Sequence, residues 1–149
     1  MGLIDGVKSH FQACLDVPMV GLLCALPAVL ANGLLSGIDK LGKIRGYYSL
    51  TQVLLVLVFM MLARIRSLEE LRGYAPGEFG KLIGLDRIAE ARCLRSKIDD
   101  LAGQGHADQW ACALSGQWLQ EVNDRLGFLY IDGHVKVYAG QVEWDRNGR

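Results

Sequence analysis

Net charge is the first thing this sequence lacks: 16 Lys and Arg balance 16 Asp and Glu over 149 residues. A chain-wide basic footprint for nucleic acid is therefore absent. Zinc-ligand spacing is also missing. Cys14, Cys24, Cys93 and Cys112 form no C-x-x-C pair, and His10, His106 and His134 stand apart from one another, which argues against a zinc site. The start, Met-Gly-Leu-Ile-Asp, has an early acid and no basic n-region, so no secretory signal is visible. Gly6 stands where N-myristoylation prefers Ser or Thr. There is no repeat and no low-complexity segment. What the chain has is apolar material, 51% of its residues, enough to offset ordering entropy and exclude disorder.

The neutrality is uneven. Residues 1–38 carry one basic and two acidic side chains, a net of −1. Residues 39–100 carry eleven basic and eight acidic, a net of +3. Residues 101–149 carry four basic and six acidic, a net of −2. The four cysteines lie in apolar, helix-like contexts and read as buried reduced thiols of a cytosolic protein.

Two apolar runs raise the question of a membrane. Residues 17–38 are uncharged but interrupted by Pro27 and Asn32-Gly33; residues 53–63 are continuously apolar but short. Spanning helices need about 20 mostly apolar residues, and runs of about 10–14 are more often core helices. Lys40, Lys43 and Arg45 between the runs, and Arg64, Arg66 and Arg72 after them, give no consistent positive-inside orientation. A small two-helix integral membrane protein is the alternative reading.

The local signals predict mainly helix. Pro27 suits the first turn of a helix reaching about Leu35, ended by Gly33 or Gly37. Ser49 is a candidate N-cap for a helix over residues 50–65. Ser67-Leu68-Glu69-Glu70 has capping-box form. A short helix over residues 78–83 is expected to stop at Gly84, with Asp86 capping the next one to about Leu101. A last helix is expected over residues 107–123, with Leu114, Trp118 and Val122 on one face. In residues 128–138 apolar and polar positions alternate, the strand signature, with Asp132-Gly133 as a hairpin-turn signal.

Residues 78–101 therefore read as helix, glycine turn, helix. Ile88, Ala91, Leu94, Ile98 and Leu101 make an apolar stripe. Arg87, Arg92, Arg95 and Lys97 lie on other faces, which fits equally a recognition helix with cations free for phosphates and base edges or a basic amphipathic helix packed in a helical bundle. Asp132 is the other candidate. Metal-dependent phosphoryl transfer uses converging carboxylates to hold divalent cations. One acid does not suffice, and only Glu143 and Asp145 follow it.

In order along the chain, five stretches carry a resemblance. They are residues 21–35 (GLLCALPAVLANGLL), 46–50 (GYYSL), 76–87 (PGEFGKLIGLDR), 94–97 (LRSK) and 130–138 (YIDGHVKVY). Together they resemble the N-terminal part of bacterial DDE-type insertion-sequence transposases, whose catalytic domain is ribonuclease-H-like. Ala89 stands where that family tends to have Pro.

The resemblance implies a helical N-terminal module with a helix-turn-helix-like segment, ending in a β-hairpin that begins a ribonuclease-H-like α/β core. It divides the chain into an apolar helical region (1–75), the DNA-binding segment (76–103), a connecting helix (104–127) and the first strands of the catalytic domain (128–149). Arg87, Arg92, Arg95 and Lys97 would contact DNA, and Asp132 would be the first acid of the triad and an Mg²⁺ ligand. Only residues 139–149 follow, and Glu143 and Asp145 lie too near Asp132 to come from separate core strands. The expectation is a truncated remnant, not catalytic alone and needing no Mg²⁺ itself, although the intact family requires the ion. The implied partners are double-stranded DNA at transposon ends, and oligomers with itself or with an intact transposase. The implied place is the cytoplasm, on the nucleoid.

Overall fold

Ser49 leaves the preceding loop in an extended conformation and starts α2, Leu50–Leu62, with a complete capping box. Its hydroxyl accepts from the Gln52 amide at 3.3 Å, and the Gln52 side-chain oxygen accepts from the Ser49 amide at 3.0 Å. Two otherwise orphaned donors are satisfied reciprocally. The helix behind this cap is apolar on every side, so it has to be surrounded. Val53, Val56 and Phe59 are almost wholly inaccessible. Full burial of one such side chain contributes about 1.5–3 kcal/mol.

The computed structural model describes residues 6–122, and all regular structure among them is helical. The mainly α expectation therefore holds over this span. Ahead of α2 lie a 3₁₀ segment, Val20–Ala25, then α1, Leu26–Ala31, and a second 3₁₀ turn, Ile38–Lys40. After it come a 3₁₀ turn, Glu70–Gly73, then α3, Pro76–Lys81, α4, Ala91–Gln104, and α5, Ala107–Val122. Leu71, Phe79, Leu82, Ile83 and Leu94 close around α2 in the main core. Leu41, Leu54 and Leu101 form a second, smaller cluster with Trp110 against it. The expected strands and hairpin over residues 128–138 lie outside the described residues.

Several local expectations appear as read. Pro27 occupies the first turn of α1. That helix stops before Leu35, because the Asn32 side chain donates to the Ala28 carbonyl at 2.7 Å and Gly33 turns away at a φ of +82°. The Ser67 hydroxyl accepts from the Glu70 amide at 3.2 Å, while the Glu70 carboxylate reaches back to the Arg66 amide at 2.8 Å. The result is a single 3₁₀ turn. Cys14, Cys24 and Cys112 are exposed and only Cys93 is half-buried, which corrects the expectation of buried thiols.

The segment between α3 and α4 departs from a helix-turn-helix. A turn in that motif has about 3–4 residues, but residues 82–90 are all non-helical. They fold back across α3: the Leu85 amide donates to Gly80 at 3.0 Å and the Ile88 amide to Pro76 at 3.0 Å. Gly80 makes the crossing feasible, since a Cβ there would meet the Arg87 Cα at 2.7 Å and the Leu85 carbonyl at 2.8 Å. Ile88 is buried as the apolar stripe implied, yet in a non-helical connector. Glu90, not Asp86, stands at the start of α4.

Among the described residues no helix is long and apolar enough to cross a membrane. The 13 residues of α2 span about 20 Å against a hydrocarbon core of about 30 Å. The two-helix membrane reading finds no support there.

The chain's beginning is strapped over this core. The Val7 amide donates to the Tyr47 carbonyl at 2.6 Å and the His10 amide to Gly84 at 2.7 Å. The buried Gln52 amide group donates to the Val7 carbonyl at 2.8 Å and to the Ser9 hydroxyl at 3.2 Å. Gln52 thus links the helix cap to the strap with its polar atoms satisfied, as burial demands.

Candidate nucleic-acid interface

The site builds outward from α4. Ala91, Leu94 and Leu101 turn inward, and Leu94 is fully inaccessible. The 3.6-residue period then puts positions 92 and 95 on the outer arc. Arg92 is exposed there, at the rim of a groove of about 350 Å³ lined by Leu71, Tyr74, Pro76 and Ile88. Glu90 gives the first turn of α4 no side-chain cap.

Arg95 is exposed as well, but it is paired. Its guanidinium donates to the Glu69 carboxylate, which also holds Arg72 at 3.3 Å. The hydrogen bond from Arg95 lowers the Glu69 pKa, partial desolvation opposes it, and the charges of Arg72 and Arg95 lower it further. Arg87 sits exposed on the connector, and the Tyr48 hydroxyl lies 3.4 Å from its carbonyl. Burial raises the Tyr48 pKa against the opposing charge of Arg87, with Tyr47 and Cys93 adding to the rise.

Lys97, expected from the sequence among the DNA contacts, is buried. It is 6% exposed, and its ammonium donates to the Arg45 carbonyl at 2.8 Å. It faces the protein and is not on the arc that carries Arg92 and Arg95. Gln104, seven residues on, shares its face and bonds both backbone groups of Lys43. The sequence reading used Lys43 and Arg45 only as flanking charges. Their signal was the paired glycines at 42 and 46 around Lys-Ile-Arg.

Asp132, Glu143 and Asp145 lie outside the described residues. Among the described residues, no three His, Cys, Asp or Glu side chains group to hold a metal ion. α5 seats beside α1 through the Trp118 indole, which donates to the Asn32 carbonyl at 2.7 Å.

No curated protein and no solved structure matches the chain. A family model described as transposase protein matches residues 1–144, and the chain therefore belongs to that transposase family.

Proposed function

We propose that this chain supplies the DNA-binding region of a DDE-type transposase and engages duplex DNA at transposon ends through α4 and the connector before it. The observation that carries this reading is the family match over residues 1–144. A transposase has to hold the DNA it moves. The exposed guanidinium of Arg92, which has no acid partner among the described residues, and the exposed Arg87 support the placement. Arg95 contributes once Glu69 releases it. The start of α4, without a side-chain cap, adds backbone N–H groups and the positive dipole end that favour phosphate.

Asp132 is proposed as the first acid of the catalytic triad, on the sequence resemblance alone. Bound Mg²⁺ in such a site activates the attacking oxygen and stabilises the leaving one. The described residues of this chain bind and orient DNA in this reading; they take no part in bond cleavage.

A gel-shift titration with duplex DNA tests the reading. Arg92→Ala and Arg87→Ala should each weaken binding about equally across duplex sequences, as phosphate contacts do. Unchanged affinity in both variants would overturn the assignment of these side chains.

A further inference from the structure

Residues 42–46 read Gly-Lys-Ile-Arg-Gly. Gly42 and Gly46 sit at φ of +124° and +112°, conformations that glycine adopts at little cost. Between them Ile44 packs against both core clusters, while Lys43 and Arg45 are exposed. Lys43 and Arg45 thus stand at the surface on either side of the inward-packed Ile44.

Two α4 side chains fix the backbone of this loop. The Lys43 amide donates to the Gln104 side-chain oxygen at 2.9 Å, and the Gln104 amide group donates to the Lys43 carbonyl at 2.8 Å. Lys97 donates to the Arg45 carbonyl at 2.8 Å. The fit is close, since a Cβ on Gly42 would meet the Gln104 oxygen at 2.5 Å. The ion pairs among the described residues are Glu69–Arg72 and Glu69–Arg95. Lys43 and Arg45 are therefore free of acid partners among them. By helical period, Arg92 and Arg95 stand about 140° and 160° around α4 from Lys97. The loop is a separate basic edge from the one that Arg95 shares with Glu69.

The geometry points to residues 42–46 as a preorganised phosphate-contact loop for duplex DNA. Lys43 and Arg45 hold one strand's backbone, and Lys97 and Gln104 act as positioning residues. This inference rests on the DNA-binding reading above and names a second element of that interface. The contact is independent of base sequence, because it uses charge on phosphates alone. The fixed backbone lowers the ordering cost of binding, which separates this loop from scattered surface lysines.

Fluorescence anisotropy with a short mixed-sequence duplex tests it, using the full chain between roughly 50 and 200 mM salt. The double variant K43A/R45A should make the slope of log K against log salt shallower by about 1.8, two phosphate contacts' worth. K97M should weaken binding in the otherwise unchanged chain, K97R should restore it, and K97M should add nothing within K43A/R45A. A merely structural role for Lys97 would weaken binding in both backgrounds and would overturn its positioning role. Wild-type binding with an unchanged slope in K43A/R45A overturns the loop and leaves the DNA-binding reading standing. No wild-type binding at the low-salt end overturns both.

Discussion

Gly80→Ala separates the observed crossing of α3 from an ordinary exposed helix by the sign of its effect. In a solvent-facing helix, Gly→Ala stabilises by up to about 1 kcal/mol. Here the added Cβ would lie 2.7 Å from the Arg87 Cα, 2.8 Å from the Leu85 carbonyl and 2.9 Å from the Arg87 carbonyl carbon. All three neighbours are backbone, so no side-chain rotation relieves them. Overpacking of this kind costs about 1–3 kcal/mol. After the propensity gain, a net loss of up to about 2 kcal/mol is expected, or a Tm lowered by up to about 8 °C in a chain of this size. Gly103→Ala is the internal control, because its Cβ meets nothing within 4 Å. It should stabilise by at most about 1 kcal/mol. Urea unfolding followed by circular dichroism measures both, with m unchanged. Equal stabilisation by the two substitutions would refute the crossing and reopen a tight helix-turn-helix.

Other outcomes follow from the same contacts. Gln52→Leu removes half of the capping box and the bonds to Val7 and Ser9. At about 0.5–1.5 kcal/mol per bond, it should destabilise by about 1.5–4.5 kcal/mol and speed proteolysis within residues 6–14. Glu69→Gln frees Arg95 and should steepen the salt slope of DNA binding by about 0.9, measured by anisotropy. Glu69 is held below its ordinary value of 4.5. Its contribution to stability is therefore present above pH 4.5 and lost as pH falls through the lowered value. Glu69→Gln should flatten that acid limb in pH-dependent melts. Asp132→Ala should leave duplex affinity in the absence of Mg²⁺ unchanged, because the proposed DNA contacts lie within residues 43–95.

The sequence yields its local devices directly. Ser49 with Gln52, Ser67 with Glu70, and Pro27 each act within a few residues, so their patterns are readable in one turn of chain. The connector is different. Ile88, Ala91, Leu94, Ile98 and Leu101 keep helical spacing whether or not Ile88 is helical. What decides is the approach of Arg87 to Gly80, a packing contact that no periodicity encodes. The burial of Lys97 was not legible for the same reason. A lysine beside Arg92 and Arg95 looks free until the Arg45 carbonyl, 52 residues away, takes its ammonium. The loop that carries Arg45 had a visible signal in its two flanking glycines. Its docking partner Gln104 had none.

Duplex binding by the full chain as a function of salt tests the central claim most directly. The account predicts measurable affinity at about 50 mM salt that falls log-linearly toward 200 mM, as release of counterions from phosphates requires. Absence of binding at 50 mM, or affinity that does not change with salt, would contradict it.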